Sequence, residues 1–377
     1  MSREWVINNY SGYEGLILQE CEKINVGPGE VRLKIEAFAL NWGDMDLMLD
    51  RYSFSFKKFP ARIGMEAAGI VDQIGEGVKN IELGKRYCTL PYFYYDKGAS
   101  ADYVTIDSRY VTPAPENLTA VESSSVWMQF MTAYYPIVEL SKASPEKNIL
   151  VTAGTSTAGN AALNIGKMFG ANMITTTRFE KNRDYLLKSG ANHVIVTNND
   201  ELDIGKSLND ITKDIGIHAA FDCVGQGMIS RYSSALARDA TIFLYGTLDG
   251  AFPQLPIVDM FQANATFHPY SLFNYVENPL LKEKGTNFIY NELKNGSILP
   301  NVDRVYSMEE YRDAWDYLKN PRKNHGKVVV TEWPHSEACL GPAQRQGVSL
   351  EEATLEQMEQ EWQQAKKTEV ATGDEPQ

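Results

Sequence analysis

Apolar and polar positions alternate in short runs through the first third of the chain, then change period. EVRLKIEA at 30–37 is the clearest run, with Val31, Leu33 and Ile35 on one face. Residues 3–7 and 16–20, AAGIVDQI at 67–74 followed by a Gly-Glu-Gly turn, GKRYCTLP at 84–91 and ADYVTI at 101–106 continue it. These runs predict a β domain. From about residue 120 the period becomes helical, and 122–140 predicts one long helix that links this domain to the next. Short apolar runs then alternate with helical segments: 149–152, 173–177, 190–197, 219–225 and 241–246, with a sixth apolar strand at 265–272. A doubly wound parallel sheet requires that alternation. Residues 278–295 and 308–319 read as helices, and KVVVT at 327–331 as a strand returning to the first domain.

The expected division is therefore 1–121 with 268–333 as the β domain, 122–267 as the parallel-sheet domain, and 334–377 as a tail. Within the tail, Ser349 and Glu352 stand at capping-box spacing, and Leu355, Met358, Trp362 and Ala365 form a narrow stripe. Residues 349–367 read as a helix docked on this chain or on a partner subunit, or else as part of a disordered tail.

ILVTAGTSTAG at 149–159 is a strand running into small residues and then a helix. Gly154, Ser156, Thr157, Ala158 and Gly159 leave room for a pyrophosphate, and the helix amides face it. The three-glycine fingerprint is incomplete, because Thr157 fills the middle position. About twenty residues on, where an acidic residue would bond a free ribose 2′-hydroxyl, the second strand closes on Thr177 and Arg178, with Lys181 close behind. A guanidinium pairs with a 2′-phosphate, so NADPH is expected over NADH.

The 377 residues suffice for two domains, and a formal net charge of −13 gives no footprint for a nucleic-acid backbone. Cys21, Cys88, Cys223 and Cys339 are scattered, which predicts free thiols in a reducing compartment. With no leader and no apolar window of membrane length, a cytoplasmic protein without membrane partners is expected.

Five segments in order resemble the medium-chain dehydrogenase/reductase superfamily, in its zinc-independent quinone oxidoreductase and enoyl reductase branch. They are ALNWGD (39–44), IGMEAAGIV (63–71) with GEGV (75–78), MQFMTAY (128–134), the 149–159 block with FDCVG (221–225), and HGKVVV (325–330). The resemblance implies a GroES-like β domain split around a Rossmann domain, an active site in the cleft between them, and commonly a homodimer joined through Rossmann sheet edges, which the 265–272 strand suits. It also implies departures from the zinc-dependent members. Asn41 and Met65 stand where those carry a cysteine and a histidine, and neither amide nor thioether ligates zinc well. Glu66 alone reads as a structural carboxylate, and no metal is expected.

Without a Lewis acid, hydride addition to an enone, enoyl thioester or quinone is favoured, since the acceptor delocalises the charge itself. An NADPH-dependent oxidoreductase for such small molecules is expected. The alternatives are a zinc-free alcohol or aldehyde oxidoreductase, and a non-catalytic NADPH-binding regulatory protein. By the resemblance Asn41 lies beside the nicotinamide, and its amide both donates and accepts. Tyr134 and Tyr52 are candidate oxyanion donors or proton sources, and each also reads as a packing tyrosine. Thr132 reads as a nicotinamide contact or as a buried helix threonine bonding backward. Cys223, Val224 and Gly225 are expected near the nicotinamide ribose, Tyr245 and Gly246 along the cofactor, and Phe267 in the segment that passes the nicotinamide. Lys327 reads as a phosphate contact or as an exposed strand lysine, Asp44 as a turn cap, favoured over a group that orients Asn41, and the aromatic run 92–95 as a pocket wall or a buried turn.

Overall fold

The computed structural model describes residues 2–92, 97–198, 202–248, 250, 254–320 and 324–332. The helix expected at 349–367 and three of the four aromatics at 92–95 lie outside these residues. In β3 (Glu30–Ala39) the alternation decides the face: Val31, Leu33, Ile35 and Ala37 are buried, while Lys34 points to solvent. Around it lie β1 (Ser2–Ile7), β2 (Ile17–Cys21), β4 (Ala61–Arg62), β5 (Ala67–Ile74), β6 (Arg86–Thr89), β7 (Tyr103–Asp107) and β8 (Val111–Pro113). β1 is central to a three-stranded sheet with β2 and β4. The larger sheet has seven strands, and two of them, β15 (Val302–Ser307) and β16 (Lys327–Thr331), come from the far end of the chain. β16 pairs antiparallel with β3, setting Val329 opposite Ala39.

The second sheet is parallel and six-stranded: β9 (Asn148–Val151), β10 (Asn172–Thr177), β11 (His193–Val196), β12 (Ile217–Asp222), β13 (Leu236–Leu244) and β14 (Thr266–Pro269), in the order β11-β10-β9-β12-β13-β14. Its central strands are continuous apolar or threonine runs because both faces are covered. The connecting helices are α4 (Thr157–Met168), α5 (Arg183–Lys188), α6 (Ile204–Thr212), α7 (Gln226–Tyr232) and α8 (Ile257–Ala263); earlier in the chain come α1 (Trp42–Met48), α2 (Ala120–Ser123) and α3 (Trp127–Tyr134), and later α9 (Phe273–Val276), α10 (Pro279–Asn295) and α11 (Tyr311–Lys319). The winding direction reverses between β9 and β12, which is where such sheets open a crevice for ligands.

Two expected elements differ. The single helix over 122–140 is broken into α2, α3 and a π-helical turn over Tyr135–Leu140. Ser124 and Ser125 bond back to the carbonyls of Val121 and Glu122, competing with the helical ladder. Pro136 lacks the N–H that would continue the next turn. The strand over 265–272 shortens to β14, which ends at Pro269 and is an edge strand.

Candidate active site

β9 turns through Ala153 and Gly154 into α4, whose N-cap Ser156 accepts from the Gly159 N–H at 3.1 Å. The Asn160 N–H bonds the Ser156 carbonyl at 2.8 Å, which leaves the Thr157 and Ala158 amides as outward donors at the positive end of the helix. A Cβ at Gly154 would fall 2.1 Å from Thr175 Oγ1, and one at Gly159 would fall 2.9 Å from the Ala153 carbonyl. Both glycines therefore serve close packing of the turn, and the left-handed residue is Ala153, at φ 47°.

Asp222 ties the two strand ends at the switch point. Its Oδ1 accepts from Thr152 Oγ1 at 2.8 Å and from the N–H groups of Val224 at 2.8 Å and Gly225 at 3.1 Å, and its Oδ2 accepts from the Tyr232 hydroxyl at 2.9 Å. Burial pushes this carboxyl up, against those four bonds. Cys223 is buried beside Thr152, and a Cβ on Gly246 would lie 3.2 Å from the Cys223 carbonyl. Tyr245 stacks on Phe221 with ring centroids 4.0 Å apart, and Phe267 is half-buried in β14 opposite Ile242. Asp222 lies within the FDCVG segment, where spacing alone assigns it no role.

At the carboxyl end of β10, Arg178 and Lys181 are both exposed and flank the Phe179 ring, at 5.7 and 5.5 Å from its centroid. Among the described residues no carboxylate pairs with either. Thr177 is buried, its Oγ1 accepting from Asn182 Nδ2 at 2.9 Å. Unpaired helix amides, close backbone packing and two free cations one strand away fit an anion with a pyrophosphate and a further phosphate.

In the β domain, Asn41 is the N-cap residue of α1 and is 8% exposed. Asp44 Oδ2 accepts from the Asn41 N–H at 3.2 Å and its Oδ1 from the Gly64 N–H at 3.3 Å, in keeping with the cap. Lys327 is 2% exposed, which corrects its reading as an exposed strand lysine. Its ammonium lies 2.8 Å from Glu66 Oε2 and 2.5 Å from Asn41 Oδ1. Glu66, fully buried, also accepts from the Met128 N–H at 2.8 Å. Burial pushes the Asp44 carboxyl up to about 7, against the Asn41 N–H bond and the Lys327 charge.

Tyr52 reaches this cluster: a Cβ on Gly43 would lie 3.2 Å from its ring. Burial, then Asp44 and Asp46, push its phenol up, so it stays protonated. Tyr134 is not brought to the group, because its hydroxyl donates to Glu139 at 2.8 Å and Glu139 in turn faces Lys142 and Lys284. Thr132 Oγ1 donates back to the Met128 carbonyl at 2.6 Å, the helix-internal bond weighed for it. Among the described residues no three His, Cys, Asp or Glu side chains converge as metal ligands. Of the 92–95 run only Tyr92 is described; it is buried, its hydroxyl donating to the Lys97 carbonyl at 2.7 Å.

Residues 27–116 match the family described as alcohol dehydrogenase GroES-like domain, and residues 158–281 the one described as zinc-binding dehydrogenase. The chain is similar to the 2-haloacrylate reductase of a Burkholderia species, 23% identical over 338 residues, covering 86% of this chain and 97% of that protein. Its fold is similar to that of Escherichia coli quinone oxidoreductase complexed with NADPH, with a TM-score of 0.80 at 22% identity over 88% of this chain and 100% of that one. The apo JamJ enoyl reductase gives a TM-score of 0.77 at 20% identity, over 88% and 99%. Taken with the split β domain and the switch-point crevice, these likenesses place the chain in the medium-chain dehydrogenase/reductase superfamily, in its quinone oxidoreductase and enoyl reductase branch.

Proposed function

We propose that the protein is an NADPH-dependent oxidoreductase that reduces an activated C=C, in an enone or enoyl thioester, or a quinone, without zinc. The observation that carries this reading is the Lys327–Glu66 pair beside Asn41. The carboxylate that would complete a metal site is neutralised by an internal ammonium, so among the described residues the site presents hydrogen-bonding groups and no ligand set for a Lewis acid. An acceptor with a conjugated carbonyl supplies its own electron sink, which matches such a site. Bound NADPH supplies the hydride. The chain's residues hold and orient: the Thr157 and Ala158 amides take the pyrophosphate, Arg178 and Lys181 the 2′-phosphate, Val224, Gly225, Tyr245, Gly246 and Phe267 line the cofactor, and Asn41 fixes the nicotinamide end. Tyr52, kept protonated, is the candidate donor toward oxygen on the acceptor.

The free thiols of Cys21, Cys88 and Cys223 support a reducing, cytosolic compartment. Among the described residues no helix is long and apolar enough to cross a membrane. A homodimer through the Rossmann edge is supported by β14, the last strand of the parallel sheet, and by the exposed Val258 and Phe261 of α8, the helix that leads into it. Light scattering that returned the mass of a single chain would remove that part of the proposal.

Fluorescence titration with NADPH and NADH, repeated for Arg178→Ala, tests the cofactor. The expected result is a preference for NADPH that the substitution removes, a loss of about tenfold or more in NADPH affinity for one charge-assisted contact. Equal affinity for both nucleotides refutes the assignment, and NADPH binding without turnover of any enone, enoyl thioester or quinone supports the non-catalytic reading instead.

A further inference from the structure

We infer that Lys327 and Glu66 are positioning residues for Asn41: the buried pair decides which way the Asn41 carboxamide faces, and so which of its atoms meets the bound cofactor. The inference rests on the function proposed above. An asparagine amide is nearly symmetric in shape, so packing alone leaves two orientations open. The charges close one of them. The Lys327 ammonium, a donor only, takes Oδ1 at 2.5 Å and lies 3.5 Å from the Leu40 carbonyl. Nδ2 turns toward two acceptors, the Ala39 carbonyl at 3.3 Å and Glu66 Oε2 at 3.4 Å. Flipping the amide would set its NH₂ against an ammonium and its carbonyl against a carboxylate. Glu66 is itself anchored by the Met128 N–H at the start of α3, and Lys327 by the pairing of β16 with β3. Three separate parts of the chain therefore fix one rotamer.

The chemical consequence follows from the inventory of atoms. Both Asn41 amide protons are directed inward, and one oxygen lone pair is taken by Lys327. The one atom of the carboxamide left to face a ligand is Oδ1, an acceptor that the capping box of α1 also brings to the Asp44 N–H. Asn41 thus meets the cofactor as an acceptor, suited to a hydroxyl or amide N–H on its nicotinamide half. It does not serve an oxyanion. The oxygen that gains charge on the acceptor must be met by other groups, because the orientation of Asn41 would present a repulsive lone pair to any pose that places that oxygen beside it.

The test uses the full-length protein and separates positioning from mere structure. Lys327→Met alone leaves Glu66 buried and unpaired and should lower Tm sharply. Lys327→Met with Glu66→Gln removes both charges, retains the acceptor for Met128, and should recover Tm. If the pair positions Asn41, the double variant still binds NADPH about tenfold more weakly than wild type, and adding Asn41→Ala to it costs nothing further, although Asn41→Ala in the wild type does. Lys327→Arg, which retains the cation, should recover part of the affinity. Recovery of both Tm and affinity in the double variant overturns the inference, because the pair would then be structural only. A fully additive Asn41→Ala loss overturns it whatever Tm does. Absence of NADPH binding by the wild type would instead remove the proposed function, and this inference with it.

Discussion

Asp44→Asn replaces a carboxyl buried under α1 with a neutral group of the same shape. In the folded protein the acid titrates near 7, against an ordinary 3.8, because burial outweighs the two N–H bonds it accepts and the nearby Lys327. Glu66 acts in the same direction as burial, and the phenols of Tyr52 and Tyr311 also face it. A raised acid pKa means that the folded state holds the proton more tightly than the unfolded chain does. The stabilising contribution is therefore complete below about pH 4, and it is lost as pH rises through about 7. A displacement of roughly three pH units at about 1.36 kcal/mol each amounts to about 4 kcal/mol between those limits. Urea unfolding followed at several pH values between 4 and 8 measures it. The wild type should lose stability relative to Asp44→Asn across this window, with the difference levelling off above pH 7. Asp46, which burial pushes up to about 6, titrates in both proteins and cancels in the comparison. Parallel stability profiles for the two proteins would show that Asp44 is ionised throughout, and the account of its burial would be wrong.

Two further substitutions probe buried polar groups of opposite kinds. The Tyr270 hydroxyl is buried without a hydrogen-bond partner among the described residues, while its ring packs 5.3 Å from that of Tyr275. Tyr270→Phe should therefore raise stability by about 1–3 kcal/mol in urea unfolding, and a loss would mean that the hydroxyl has a partner after all. Asp222→Ala strands the hydroxyls of Thr152 and Tyr232 and the N–H groups of Val224 and Gly225. It should cost about 3 kcal/mol or more and speed amide exchange at residues 224–225, so unchanged exchange there counts against Asp222 as the organiser of the switch point.

Periodicity carried most of the fold. The alternation at 30–37 named the buried face of β3, and the apolar runs from 149 onward named the parallel sheet, because each run obeys a purely local geometric repeat. The places of the glycine turn before α4 and of Arg178 at the end of β10 were legible for the same reason, as neighbours in sequence with a fixed spacing. The long helix over 122–140 misled because helical periodicity persists through Ser123–Ser125 and Pro136, while the backbone hydrogen bonds do not. What stayed hidden was pairing at long range. Lys327 opens the run KVVVT and Glu66 interrupts IGMEAAGIV, so each is a charge set in apolar surroundings. That is a signal of burial, and a buried charge requires an opposite partner. Nothing local identifies the partner, which lies 261 residues away. Asp222 was hidden similarly, since its value lies in joining β12 to the Thr152 end of β9.

That separation gives the chain an order of completion. Asn41 and Glu66 belong to the β domain made first, yet the cation that satisfies them sits on β16, which enters the same sheet only after the whole parallel-sheet domain has been synthesised. Until residue 327 arrives, the early domain holds a carboxylate it cannot bury at low cost and an asparagine free to turn either way. The last strand closes the sheet and completes the buried cluster in one event, so a chain interrupted between α10 and β16 would leave Glu66 without its counter-charge and Asn41 without the cation that fixes it.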